Sequence, residues 1–166
     1  MMRNIVVVLH NVQSVQRVIE TAKICYGLGY NTLVISKAIG TAAQTGVPEA
    51  NKIAMRLGKR LLCVPDIQDA IDLLKPDKVF LYAPKPYAKN VFNPKKIIDE
   101  IGQGNLVLMV FGGLEPGLSS RELSLGESFH LDLPGNIGSI GALSIVLYLL
   151  YCYLNLSANC RQPFDS

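Results

Sequence analysis

Short apolar runs alternate with amphipathic segments along the whole chain, and this alternation constrains the fold more than any other feature. Residues 4–9 are rich in β-branched side chains and read as a first, buried strand. Val15, Val18, Ile19, Ala22 and Tyr26 then recur at helical spacing, and Gly27 and Gly29 stop the helix. The cycle repeats, with strands expected over 32–36, 61–64, 79–82, 106–111 and 129–133. Helices are expected over 48–57, from an N-cap at Asp66 through Leu74, from Pro94 onward, and over 139–154. Residues 106–111 are all apolar, as a strand covered on both faces would be. Strands separated by helices imply an α/β fold: one domain over 1–166, with a mostly parallel six-stranded sheet flanked by helices.

Composition sharpens this reading. The chain has 166 residues, of which 49% are apolar and 17% charged, and its mean hydropathy is +0.28. A disordered chain is excluded, yet a soluble domain normally carries ~25% charged residues. Either the core is large or another molecule covers part of the surface. The net charge of +3 permits an anionic partner without demanding one. The apolar run 5–9 is too short for a signal sequence, and the stretch 140–154, broken by Gly141 and Ser144, falls short of the ~20 residues that span a bilayer. A cytoplasmic protein with no membrane segment is the expectation. Cysteines 25, 63, 152 and 160 form no C-x-x-C pair, and His10 and His130 are the only histidines. No metal is expected, therefore, and the thiols read as buried groups in a reducing compartment, with a Cys152–Cys160 disulfide left open.

Ligands bind at the carboxyl ends of parallel strands. This directs attention to Tyr82-Ala83-Pro84, to 111–119 and to 133–139, with 37–48 as a further candidate cover. Gly112, Gly113 and Gly117 would permit positive φ and close approach of backbone to a ligand. Glu115 among them is either a solvated carboxylate or a group that orients substrate. The spacing matches neither G-x-G-x-x-G nor a P-loop, which disfavours a dinucleotide or ATP site. Ser139 opens the last helix either as an N-cap or as a hydroxyl facing a ligand.

Gly113-Leu114-Glu115-Pro116-Gly117-Leu118-Ser119, followed by Leu133-Pro134-Gly135 and Ser139-Ile140-Gly141, resembles motifs two and three of the SpoU/TrmH branch of the SPOUT superfamily. Val8-Leu9-His10-Asn11-Val12-Gln13, then Thr21-Ala22 and Gly29, is similar to motif one, so the resemblance spans roughly the whole chain. It implies a C-terminal trefoil knot and S-adenosylmethionine-dependent methylation of RNA (tRNA or rRNA), at a ribose 2′-hydroxyl. It further implies cofactor contacts from Tyr82, Ala83, Gly112, Gly113, Leu131, Leu133, Ser139 and Ile140, and a homodimer. The sequence departs from the family at two points: Glu20 stands at its motif-one Arg, and Gly141 at its motif-three Asn. Arg17, one turn before Glu20, would replace that Arg in a catalytic set with Glu115 and Ser139, or would form an exposed ion pair with Glu20. His10 is either a base or a surface histidine. A catalytically inactive S-adenosylmethionine- or RNA-binding protein is the alternative reading.

Two further features belong to this reading. Lys85, Lys89, Lys95 and Lys96, interleaved with Tyr87 and Phe92, would contact RNA phosphates and stack a base, or form a solvated surface. Ile140, Leu143, Val146, Leu147, Leu150, Tyr151 and Leu154 put apolar character on more than one face of the last helix, as a subunit contact would require.

Overall fold

Ile5 to Leu9 are buried throughout in the computed structural model, which describes residues 2–159. They begin β1 (Ile5–Val12), and the chain continues through α1 (Val15–Gly27), β2 (Thr32–Ala38), α2 (Val47–Arg56), β3 (Arg60–Val64), α3 (Ile67–Leu74) and β4 (Lys78–Tyr82). Then follow β5 (Asn90–Val91), α4 (Pro94–Gly102), β6 (Val107–Gly112), α5 (Ser120–Leu123), β7 (Glu127–His130) and α6 (Gly138–Asn159). Local chemistry accounts for the ends of the helices. Ser14 caps α1, Asp66 caps α3, and Asn93 caps α4 ahead of Pro94, each through a side-chain oxygen that accepts a backbone N–H.

The α/β class holds, as a parallel sheet in the order β3-β2-β1-β6-β4-β7-β5. It has seven strands rather than six. β5 is only two residues long, too short to leave a pattern in the sequence, and it pairs with β7. The last strand is Glu127–His130 and not 129–133, because from Leu131 the chain turns back on itself, with Leu133 N–H donating to Leu131 O. The segment 37–48 is not a plain loop either: a π-helical turn (Ala42–Gly46) runs straight into α2.

One face of the sheet, with Val7, Leu9, Met109 and Phe111, is covered by α1, α2, α4 and α6. The other, with Val6, Val8, Leu108 and Val110, receives α3 and Leu118 and Leu123 around α5. Its α6 is longer than the sequence suggested. By length and composition the window Gly138–Asn155, of mean hydropathy 1.5, is long and apolar enough to cross a membrane. In this chain, 39% of that window is buried, and Leu143, Val146, Leu147 and Leu150 are fully covered by the protein itself. The Tyr30 hydroxyl donates to Leu147 O at 2.7 Å, tying the helix to the turn after α1. Cys25, Cys63 and Cys152 are all free thiols; Cys25 is buried as expected, but Cys63 is exposed and Cys152 half-buried, and Cys160 lies outside the described residues.

Gly112 and Gly113 serve packing. Neither has a positive φ, and a Cβ on Gly113 would lie 2.7 Å from Val12 Cβ and 2.8 Å from Asn11 O. Gly135, by contrast, has open space around it. Gly113→Ala should therefore destabilise the protein by about 1–3 kcal/mol, with Gly135→Ala within ~0.5 kcal/mol of the parent. Thermal denaturation of the two variants tests this, and equal midpoints would contradict it.

Candidate functional site

β1 leads to β2 on one side of the sheet, while β6 and β4 lie on the other. The crevice beyond the carboxyl ends of β1 and β6 is thus the topological switch point, where open parallel sheets place ligands. His10 stands there, in register with Ser36 of β2 and Gly112 of β6, and only 1% exposed. It is not a surface histidine. Its Nδ1 lies 2.8 Å from Ser36 Oγ, and its Nε2 lies 2.5 Å from Glu122 Oε2 and 3.9 Å from Asp66 Oδ1.

Each partner is placed by its own element. Ser119 and Glu122 form a reciprocal capping box that starts α5, so Glu122 Oε1 accepts Ser119 N–H at 2.8 Å while Oε2 reaches His10. Asp66 Oδ1 accepts Ile67 N–H at 2.7 Å as the cap of α3. Burial pushes the Glu122 carboxyl up, but the Ser119 amide, the His10 ring and the Ser119 hydroxyl together outweigh it and hold the group below its ordinary value. An ionised Glu122 accepts only, so His10 Nε2 carries the proton between them.

Ligand atoms of His10, Asp66 and Glu122 lie within 4.8 Å of one another. Beside them is a cleft of about 560 Å³ whose walls include Asn11, Lys37, Asp66, Gln68, Arg121 and Glu122. Between the His10–Ser36 and Val12–Ala38 pairs, Asn11 (φ 60°) and Lys37 (φ 53°) both turn left-handed, a conformation that costs of order 1 kcal/mol per residue. Asn11 Oδ1 is buried without a hydrogen-bond partner. Among the described residues, Lys37 and Arg121 make no ion pair.

The strand-end loops singled out in the sequence also converge, on the other side of 113–117. Tyr82 is buried against Phe111 and Phe129, and Ala83 N–H donates to Phe129 O. Burial, then the Glu115 carboxylate, raises the Tyr82 hydroxyl above its ordinary value. A Cβ on Gly138 would sit 3.5 Å from Glu115 Oε1, and one on Gly117 would sit 3.7 Å from Ser139 Oγ, so these loops are in contact. Tyr82, Leu131 and Leu133 share a smaller cleft of about 210 Å³ with Pro84 and Lys85. Gly112 and Gly113 lie outside its walls, Ser139 is buried, and Ile140 packs on the core. Arg17 neither pairs with Glu20 nor stands free: its Nη1 donates to Gly113 O at 2.6 Å, while Glu20 accepts from Gln16. Of the lysine run, Lys85 pairs with Asp132, Lys95 with Asp99 and Lys96 with Glu127, and Phe92 packs on Phe129. Only Lys89 of the four has no carboxylate partner among the described residues.

Sequence reasoning missed Glu122 and read Asp66 only as a helix cap. The Ser119-x-x-Glu122 capping signature was visible; that its second carboxylate oxygen faces a histidine 112 positions away was not.

Residues 40–149 match the DUF2122 family, described as RecB-family nuclease. The chain is 40% identical over 147 residues to an Aeropyrum pernix protein named "Putative type II restriction enzyme ApeKORF2002P", a match covering 88% of this chain and 92% of that protein. Among solved structures, a probable methyltransferase from Bordetella pertussis Tohama I superposes with a TM-score of 0.72 at 15% identity, covering 92% of this chain and 97% of that one. The SpoU methyltransferase AviRb from Streptomyces viridochromogenes, in complex with the cofactor AdoMet, superposes at 0.66 with 12% identity, over 90% of this chain and 60% of that one. The resemblance to SpoU/TrmH methyltransferases therefore holds for the fold. The activity expected from it, RNA ribose methylation, and its inactive alternative are overturned by the family match and the sequence relative, both of which carry nuclease or restriction-enzyme descriptions.

The lowered Glu122 carboxyl has a signed consequence. Its contribution to stability is fully present above the ordinary carboxyl value of 4.5 and is lost as pH falls through the lower folded value. Wild type should thus be more stable than Glu122→Gln at neutral pH, and the gap should close on acidification below that value. A gap independent of pH would show that Glu122 titrates alike in the folded and unfolded chains.

Proposed function

The chain belongs to the DUF2122 family, described as RecB-family nuclease, and from that membership we propose that it hydrolyses phosphodiester bonds in nucleic acid at the His10–Asp66–Glu122 cluster. The observation that carries this reading is the grouping of two carboxylates with a buried imidazole within 4.8 Å, the carboxylates lining one cleft with two cations that make no ion pair among the described residues.

The side chains divide the work by their remaining hydrogen-bonding capacity. Both oxygens of Glu122 are engaged, by Ser119 N–H and by His10, so Glu122 and His10 form a frame locking α5 to the end of β1. Asp66 is 59% exposed, and only its Oδ1 is engaged, which leaves Oδ2 to accept a proton from water. Lys37 and Arg121 face the same space and offset the charge of a phosphodiester. In hydrolysis the water oxygen bonds to phosphorus, one of its protons passes to Asp66, and the P–O bond to the departing oxygen breaks, that oxygen taking a proton from solvent water to leave as an alcohol. The donor set also fits a divalent cation that takes oxygen and nitrogen ligands, and Asn11, whose buried Oδ1 has no hydrogen-bond partner, is a wall residue of the same cleft. Asp66 would hold such an ion through its free oxygen, joined by Glu122 and His10 once the proton between them is released, and the ion would supply Lewis-acid polarisation of the phosphoryl group.

End-labelled DNA and RNA incubated with Mg²⁺ or Mn²⁺ should be cut, and Asp66→Asn should slow cutting by about a hundredfold or more. No cutting of either polymer with either metal, or full activity in Asp66→Asn, would overturn the reading. The two substrate arms decide whether RNA, the partner implied by the motifs, or DNA is the polymer.

Two further expectations are carried as proposals. The smaller cleft gathers Tyr82, Leu131 and Leu133 and is the place to look for S-adenosylmethionine; calorimetry showing no heat would remove the cofactor. Ile145, Tyr148 and Tyr151 leave an exposed apolar strip on α6 that suits a homodimer; light scattering of a monomer at micromolar concentration would remove the dimer.

A further inference from the structure

A second cleft, also of about 560 Å³, meets the first: Pro116, Leu118 and Ser119 line both. It runs from that shared edge past Ser124 and Ser128 to Lys89 and Tyr87. Tyr87 is 69% exposed on the loop between β4 and β5. Lys89 is anchored by its backbone N–H, which donates to Ser128 Oγ at 3.0 Å, while its ammonium group has no carboxylate partner among the described residues.

We propose that this cleft is the track of an unpaired nucleic-acid strand leading into the Asp66 centre, with Tyr87 as the platform on which one base stacks and Lys89 as a phosphate contact. The inference rests on the phosphodiesterase reading for the class of partner. The choice of a single strand comes from the charge balance of this surface. A duplex binder needs a broad basic face, because its affinity comes mainly from phosphate contacts. Here Lys85, Lys95 and Lys96 are already neutralised by Asp132, Asp99 and Glu127. What remains along this cleft, among the described residues, is the exposed Tyr87 ring, the Lys89 ammonium group and several hydroxyls. An exposed ring gains a partner only from a base whose face is open, and stacking tolerates any sequence.

Binding is measured by fluorescence anisotropy with labelled 12-nucleotide DNA and RNA strands and the matching duplexes, in chelator so that nothing is cut. Single strands should bind more tightly than duplexes. Tyr87→Ala should weaken them about tenfold, as loss of one stack does, with Tyr87→Phe within about twofold because the ring is kept. Lys89→Ala should weaken binding and reduce the salt slope by about one unit. The DNA and RNA arms distinguish the two sources of strand. Unchanged affinity in Tyr87→Ala, tighter binding of duplex, or no binding of any strand would overturn the inference. Tyr87-dependent binding without cutting in metal would overturn the phosphodiesterase reading alone. Cutting with unaltered binding by Tyr87→Ala would overturn this inference alone.

Discussion

The pairing of β1 with β6 is the constraint on which the rest of the structure depends. His10 lies opposite Gly112, and Gly113 N–H continues the ladder by donating to His10 O at 2.7 Å. The chain past β6 then passes so close to Asn11 and Val12 that Gly113 has no room for a side chain. Only from that launching point does 113–119 cross the end of β1 and bring Glu122 onto the His10 ring. Parallel pairing has a side-chain period of two, so a slip of one residue would exchange the faces of β1 and take His10 away from α5. Arg17 reinforces the arrangement from α1 by donating to Gly113 O.

What was legible in the sequence divides along this line. β1, β2, β6 and the starts of α3 and α4 depend on local signals: apolar and β-branched runs, Asp66 and Pro94. Those signals are readable one segment at a time. The loops that would meet were also readable, because the carboxyl ends of parallel strands share one edge of the sheet. The cluster itself was not, since His10 lies in β1 while Asp66 and Glu122 come from two separate connections far along the chain. Gly112 and Gly113 looked like room for a ligand and prove to be room for the chain's own backbone, whereas Gly117 has the positive φ expected of it. The lysine run shows the same boundary. Lys95–Asp99 is an i,i+4 pair that the sequence displays, but the partners of Lys85 and Lys96 arrive from the far end of the chain.

Low charge density follows largely from α6 and from the two-sided strands. Leu143, Val146, Leu147 and Leu150 cover one sheet face, so this helix replaces amphipathic surface with core. Its opposite side carries Ile145, Tyr148 and Tyr151, where a soluble helix ordinarily carries charges. A chain with so few charges must place them deliberately, and the larger cleft gathers Lys37, Asp66, Arg121 and Glu122 in one space.

A fold likeness at 12–15% identity carries no chemistry of its own, so the proposed phosphodiesterase reading rests on the side chains. A fold supplies an edge where loops meet, while reactivity belongs to the groups placed on it. Two of the clefts along the edge of this sheet bear on that reading, the one of about 210 Å³ at Tyr82 and the one of about 560 Å³ at Asp66. The smaller one is walled by Tyr82, Leu131, Leu133 and prolines, and its charged lining residue, Lys85, is paired with Asp132. Such walls can enclose a ligand but offer no free acid or base to a reaction. The larger one holds an ionised carboxylate fixed by a buried histidine, a second carboxylate with a free oxygen, and two cations that make no ion pair among the described residues. Activating water beside a phosphate requires a proton acceptor and compensation of negative charge in one space, and only the larger cleft supplies both.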